Sequence, residues 1–274
     1  LEARRLRRPA EDARRTGRSA QVTLTFDKLF RKAVLMLALS LLIKQATAEE
    51  AGAVSLAEVR SRIQQATAGF RDLRMDVEIA FADQKELAVI GKDYGRAYEF
   101  KRSQLVFKDP DKFKMTARAG LVNVTYIVTG DMKRVKAGLI KKTDDIGDEP
   151  HKKQNALDVG IVTGSLWQFF NVEGVRTESL NGVPCYVLTL SLANSPQKKQ
   201  YIWVDAKDLK LLRREKREAD GSLRVRYVYS GHRRVNGIWV PGEQRVFNGH
   251  GRLGGTSVYS NIRINSGVSD SEFR

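Results

Sequence analysis

"GVPCYVLTLSLANSPQKKQYIWVDAKDLKLLRREKREADGSLRVRYVYS", Gly182 to Ser230, decides the fold class. Apolar residues recur at every second position: Val225, Tyr227 and Tyr229 alternate with Arg224, Arg226 and Val228. A period of two is that of a strand with one face buried. Asn181-Gly182 and Asp220-Gly221 lie between such runs, as hairpin turns do. Strands this closely spaced leave no room for crossover helices, so the sheet is antiparallel and not built of βαβ units.

The same reading extends in both directions. "MDVEIAF" (75–81), "RAYEFKR" (96–102), "SQLVFK" (103–108), "KFKMTAR" (112–118) and "LVNVTYIVTG" (121–130) read as strands, as do "IWVPGEQRVF" (238–247) and "TSVYSNIRIN" (256–265). Asn236-Gly237 marks another hairpin. In "KDPDKFKMTARAG" (108–120), Asp109-Pro110-Asp111 is a turn that starts a strand. Phe113, Met115 and Ala117 then share one face, and Lys112, Lys114, Thr116 and Arg118 the wet one. Two segments break the period. "SLAEVRSRIQQATAGF" (55–70) predicts an amphipathic helix, with Ser55 and Glu58 as a capping box. "ALDVGIVTGSLWQFF" (156–170) is a second helical candidate, weakened by Gly160 and Gly164. Lys141 to Asn155 is polar and reads as a surface loop. The expected architecture is mainly β (α+β). A curved antiparallel sheet of about ten strands must curl or close, which leaves a concave face for helices or a ligand.

The chain carries a formal charge of +16 over 274 residues. Part of that excess sits in a leader. Residues 25–48 have the three parts of a secretory signal peptide: a basic flank (Lys28, Arg31, Lys32), an apolar run from Ala33 to Ile43, and Ala46-Thr47-Ala48 before Glu49. Cleavage is expected between Ala48 and Glu49. An uncleaved inner-membrane anchor is the other reading, but eleven helical residues rise only about 16 Å, against a hydrocarbon core of about 30 Å. Residues 1–24 read as an over-extended or disordered basic leader, and 49–274 as one domain. Cys185 is the single cysteine and has no partner for a disulfide. The expected compartment is therefore the periplasm, which argues against nucleic acid as the partner of the basic charge.

Catalytic patterns are weak. His151, His232 and His250 fall in a charged loop and in turns, without metalloprotease spacing. Gly249, Gly251 and Gly254 match G-x-G-x-x-G, but strands flank them on both sides, where a dinucleotide site needs a strand and a helix. A hydrolase using His232 or His250 is the weakest of three readings. No cofactor or metal is expected. Arg213, Arg214, Arg224, Arg226, Arg233 and Arg234 cluster on consecutive hairpins. They read as a solvated outer sheet face, or as a docking patch for an acidic partner or anionic lipid. The aromatic residues suggest an apolar cavity under the sheet, as an acyl chain needs. Its candidate lining is Phe113, Met115, Tyr126, Trp203, Tyr227 and Trp239, with Trp167 and Phe170 from the second helical segment.

Taken in order, the leader, the capped helix, "DPDKFKM", the 182–230 stretch, "NGIWVPGEQRVF" and "SNIRINSGVSDSEF" resemble the outer-membrane lipoprotein carrier and sorting proteins, the LolA-like family. The likeness runs from about Ser55 to Phe273. It implies an incomplete β-barrel around a hydrophobic cavity with helices as a lid. It also implies a monomeric periplasmic carrier that holds the acyl chains of lipoproteins between an inner-membrane exporter and an outer-membrane acceptor. Pro110, Lys112 and Phe113 match one family motif, Trp203 and Asp205 a second, and Pro241 and Phe247 a third. The best-studied carriers have an arginine before the first proline, tied to holding the lid shut; this chain has Asp109. The alternative on the same fold is an envelope interaction or stress-sensor module with a filled core.

Overall fold

The computed structural model describes residues 54–274. The basic leader, the signal segment and the Ala48-Glu49 cleavage site lie outside the described residues.

Helix α1 (Leu56–Thr67) starts where its cap predicts: Ser55 Oγ accepts from Glu58 N at 3.1 Å. Its Val59 and Ile63 are buried. After β1 (Asp72–Ala82) the chain departs from the sequence reading. "RAYEFKR" is not a strand; α2 (Gln84–Ile90) and α3 (Lys92–Ala97) occupy this region. Asp83 caps α2 by accepting from the N–H groups of Lys85 and Glu86. Leu87, Ile90 and Tyr98 are buried together. Glycines make room for them, since a Cβ at Gly254 would sit 3.1 Å from Leu87 Cδ2 and one at Gly255 would collide with the Tyr98 ring. A two-residue alternation around Tyr98 is too short to outweigh that docking.

A meander follows: β2 (Arg102–Lys108), β3 (Lys112–Ala119), β4 (Val122–Thr129), β5 (Met132–Ala137) and β6 (Ile140–Asp145). The start of the expected 141–155 loop is therefore a strand. Lys141 to Asp145 lack apolar alternation because β6 is the edge of the sheet, where charge is ordinary protection. The second half comprises β7 (Asn171–Leu180), β8 (Val183–Leu192), β9 (Ser195–Asp205), β10 (Leu211–Arg217), β11 (Leu223–Ser230), β14 (Glu243–Asn248) and β15 (Leu253–Ile264). Asn181-Gly182 and Asn236-Gly237 both adopt positive φ throughout, as their hairpin turns require. Pro241-Gly242 breaks the expected 238–247 strand, leaving β13 (Ile238–Val240) to pair with β12 (Arg233–Val235) as a separate hairpin.

The thirteen main strands form one antiparallel sheet, in the order β6-β5-β4-β3-β2-β1-β15-β14-β11-β10-β9-β8-β7. Strand β15 joins the two meanders by pairing with β1. The sheet remains open, with β6 and β7 as its edges, as an incomplete barrel does. That order dictates the crossover. The chain leaves β6 at one edge and enters β7 at the other, so residues 146–170 must traverse a face. They take the inner one. Ile146, Ala156, Val159 and Ile161 join the core over β1–β4, while Leu157, Val162, Leu166 and Phe170 join the core over β8–β11. The expected helix over 156–170 is thus a chain of short pieces: a 3-10 turn (156–159), Gly160 in the left-handed region at φ +80°, and α4 (Leu166–Phe169).

Candidate functional site

The inner face carries two apolar fields. Register aligns Leu73, Phe107, Phe113 and Val128 in one row, and Met75, Leu105, Met115 and Tyr126 in the next. Phe113 and Tyr126 meet edge to face, with centroids 6.0 Å apart. The second field holds Tyr186, Leu188, Ile202, Val204 and Tyr229 beneath α1 and the crossover, with Trp167 and Tyr227 at its margin. Six of the eight predicted lining residues are therefore on this face: Phe113, Met115, Tyr126, Trp167, Phe170 and Tyr227.

Trp203 and Trp239 are not. Ile202 and Val204 point inward, so alternation sends Trp203 to the outer face, against Cys185 and Val187. There its indole donates to Glu178 Oε1 at 3.1 Å, and the Arg213 guanidinium lies 5.0 Å from its ring. Trp239 alternates with the inward Ile238 and Val240, and Lys210 Nζ sits 4.9 Å from its ring. The difference is one of phase: an aromatic at period two takes its face from whichever of its neighbours is buried.

The inner face is covered. Leu73, Phe107, Val128, Val159 and Val240 are all 0% exposed. A void that admitted water would register as exposure on its walls, so these residues border none. An open groove of about 650 Å³ lies at the far end of β1–β4, where the next row, Val77, Ser103, Ala117 and Val124, borders it together with Asp76, Glu78, Arg102, Gln104, Thr116 and Arg118. Its mixed, open walls enclose an acyl chain less well than the covered inner face would.

What closes the inner face is the crossover, held to the sheet by a few polar contacts. Asp109 Oδ1 accepts from Ser165 Oγ at 2.9 Å and from Thr163 Oγ1 at 3.5 Å, next to the cis Asp109-Pro110 bond. Burial pushes the Asp109 carboxyl above its ordinary range, and the two hydroxyl contacts offset part of that shift. Arg214 Nη1 donates to Asp158 Oδ1 at 2.8 Å, and its other nitrogens reach Gln200 Oε1. Burial works against the guanidinium charge, and Asp158 together with Tyr229 and Tyr227 more than restores it. Gly160 lies against the Pro241 ring, where a Cβ would come within 2.5 Å of Cγ. Asp109, beside Pro110, and Pro241 therefore contact the same segment, at 163–165 and at Gly160. In place of an arginine, Asp109 holds the cover as an acceptor.

The other motif residues serve turns and the C-terminus. Asp205 accepts from the N–H groups of Lys207 and Asp208 and pairs with Lys210 at 3.2 Å. Burial raises its carboxyl, but these donors hold it below the usual carboxylate range. Lys112 Nζ lies 2.8 Å from Asp270, and Lys108 Nζ lies 2.7 Å from it. The "wet" side of β3 is thus partly covered. The C-terminal 3-10 turn (270–273) packs Phe273 and Val268 on Val106 and Ile127. Buried Asp72 anchors the chain just before that turn by accepting from the N–H groups of Ser266, Gly267 and Val268.

The arginine cluster does not form one patch. On the outer face, Arg217 and Arg226 both donate to Glu215, whose side chain is 2% exposed, and Arg213 lies 4.0 Å from it. Burial raises the Glu215 carboxyl, but the two arginine bonds prevail and keep it below its ordinary value. Arg214 is inside. Simple alternation places Arg224 on the outer face, but the β10–β11 register shift between Lys216 and Arg217 turns its guanidinium toward Gly91 and Tyr94. Arg233 and Arg234 are exposed on the β12–β13 hairpin.

His151 and His250 are exposed, and His232 is half-buried. His232 Nε2 donates to the Leu211 carbonyl at 2.8 Å, and His151 is an exposed neighbour of Glu149. Among the described residues, no three of His, Cys, Asp and Glu gather where they could hold a metal. Nor is any described helix long and apolar enough to cross a membrane.

Comparison with known proteins agrees on the fold. A LolA-superfamily protein from Nitrosomonas europaea matches with a TM-score of 0.56 at 14% identity, over 81% of this chain and 98% of its own. An outer-membrane lipoprotein-sorting domain from Vibrio parahaemolyticus matches with a TM-score of 0.54 at 13% identity, over 80% of this chain and 94% of its own. A family model described as "Uncharacterized protein" matches residues 161–274. No curated protein matches in sequence. The LolA-like resemblance read from the sequence holds in the fold.

Proposed function

We propose that this protein binds the acyl chain of a lipoprotein or another lipid on the inner face of its sheet, without chemistry, as a periplasmic carrier. The crossover 146–170 acts as the movable cover. One observation carries the reading: the segment over the inner face is fixed by side-chain packing and a few polar contacts, not by strand pairing. A cover of that kind can leave without dismantling the sheet. Phe113, Met115, Tyr126 and Tyr227 line the space it vacates, while Phe170 and Trp167 move with the cover. Envelope lipoprotein sorting is favoured by the resemblance, by the Vibrio relative's description, and by the signal segment in the sequence. An inner-membrane exporter and an outer-membrane acceptor are the corresponding partners of a monomer.

The filled inner face favours a second reading, an envelope interaction or stress-sensor module. One experiment separates the two. Protein purified from cells is extracted for lipid mass spectrometry, then titrated with a fluorescent acyl probe with the cover intact and with it loosened by Asp158→Asn. Co-purified lipid, or probe binding that strengthens when the cover is loosened, supports the carrier. Lipid-free protein that takes up no probe in either form leaves the interaction module.

A further inference from the structure

The α2–α3 pair packs on Val225 and Tyr227 beside the crossover, and there the wall carries more positive charge than its acids balance. Strand β10 brings Arg214 and Lys216 inward, and the bulge opposite Lys216 turns Arg224 toward their rim, with its side chain still 46% exposed. Asp158 is committed twice, to Arg214 at 2.8 Å and to the Asn155 N–H at 3.0 Å. Glu218 is shared between Lys198 at 2.7 Å and Arg224 at 3.6 Å. Among the described residues, no carboxylate lies within ion-pair distance of Lys216; its ammonium lies 5.9 Å from the Tyr227 ring. Burial first, then Arg214, push that ammonium down to about 7. A half-buried lysine beside two guanidiniums is a charge in want of a counter-ion.

The neutral donors fit the same purpose. The Tyr94 hydroxyl on α3 and the Tyr227 hydroxyl on β11 are hydrogen-bonded to each other. Two hydroxyls in one bond use one hydrogen and leave the second to donate elsewhere. Burial raises both tyrosines above their ordinary value, so they remain protonated donors.

We propose that Lys216, Arg224 and the Tyr94–Tyr227 pair form an anion site that receives the carboxylate or phosphate head group of an amphiphile. The acyl half of this inference rests on the function proposed above; the anion half does not. Lys216 would supply the charge-assisted bond, Arg224 a second cation, and the tyrosine pair a neutral donor, while Arg214 stays with Asp158. The site lies between α3 and the 156–159 turn, so a bound head group would leave its tail facing the inner surface.

Titration calorimetry with dodecanoate, dodecyl phosphate and the uncharged 1-dodecanol tests this, with inorganic phosphate as the headless control. Both charged amphiphiles are expected to bind at least about tenfold tighter than dodecanol, as a charge-assisted hydrogen bond implies. Lys216→Gln and Arg224→Gln should each lower that preference without weakening dodecanol. Thermal unfolding confirms that the variants fold. Inorganic phosphate that stabilises the unaltered chain but not Lys216→Gln supports the anion site even if no amphiphile binds. Amphiphile binding with equal affinity for charged and uncharged heads overturns the anion site and leaves the acyl reading intact. No binding by any of the four overturns both. Carboxylate preferred over phosphate, or the reverse, identifies the head group.

Discussion

Replacing Asp158 by asparagine tests the cover most directly. The Arg214 side chain is 4% exposed and that of Asp158 20%. In the unaltered chain the guanidinium has one carboxylate at 2.8 Å and one amide oxygen, Gln200 Oε1, at 2.9–3.0 Å. The substitution removes the carboxylate charge that compensates it. Arg214 and the Asn155 N–H meet different oxygens of the carboxylate, and an amide puts a donor NH₂ in place of one of them, so either the ion-pair contact or half of the capping arrangement on the 156–159 turn is lost. Removing one partner of a buried pair and leaving the other charged costs about 3–5 kcal/mol. Against a total stability of about 5–15 kcal/mol, that loss is large. Arg214→Met is the contrasting perturbation. It removes the buried charge itself and leaves Asp158 partly solvated and still bonded to Asn155, so about 1–3 kcal/mol is expected.

The double variant should be more stable than Asp158→Asn alone, because the orphaned cation is gone. Urea unfolding of all four forms, with the slope checked for constancy, gives the coupling. Fluorescent acyl-probe binding by stopped flow gives the functional counterpart, with faster association expected in Asp158→Asn. A cost below about 1 kcal/mol for Asp158→Asn, or simple additivity in the double variant, would refute the claim that this pair secures the crossover.

Three further outcomes follow from the same contacts. Because burial raises the folded-state pKa of Asp109, the folded chain holds that proton more tightly than the unfolded one. Its contribution is therefore greatest at low pH and is lost as pH rises through the raised value. Asp109→Asn keeps an acceptor for Ser165, so the difference in melting temperature between the two chains should favour the variant more at about pH 8 than at about pH 4. Gly160→Ala combines a left-handed φ of +80° with a contact 2.5 Å from Pro241 Cγ; a cost of about 1–3 kcal/mol is expected in urea unfolding, with Ser165→Ala as the milder comparison. Phe273→Ala empties the buried end of the C-terminal turn, at about 3 kcal/mol, and hydrogen exchange should rise in β2–β4 before it rises in β8–β11.

The sheet was legible because alternation and turns are local. Val225, Tyr227 and Tyr229 announce β11, and Asn181-Gly182 announces the β7–β8 hairpin, whatever lies around them. The α2–α3 pair was not legible, since its Leu87, Ile90 and Tyr98 are organised by bare glycines on β15, far along the chain. The site was legible in part. Phe113 and Met115 could be assigned to the inner face from their own strand. Trp203 and Trp239 could not, because the face of an alternating strand is fixed by what packs on its neighbours. Arg224 required knowledge of a register shift, which no single strand records. The polar grip on the crossover was invisible for the same reason: Asp109 and Ser165 are 56 residues apart.

A packed inner face and an acyl-binding function are compatible once the exchange is counted. The crossover places Ile146, Leu157, Val159, Ile161, Val162, Leu166 and Phe170 on the sheet, each at most 6% exposed. At about 2 kcal/mol for each buried side chain, they contribute about 14 kcal/mol. A saturated chain of about 16 carbons, at about 0.8 kcal/mol for each CH₂, gains about 13 kcal/mol by burying on the same surface. The two occupants nearly balance. Neither the apolar face nor the ligand then decides which one sits there. The decision falls to terms of a few kcal/mol, the size of the Asp109–Ser165 bond and the Arg214–Asp158 pair together. A carrier that must both take up and release its load needs such a near-balance, and a module with a permanently filled core does not. That difference makes the two polar contacts, more than any aromatic on the inner face, the place where the readings part.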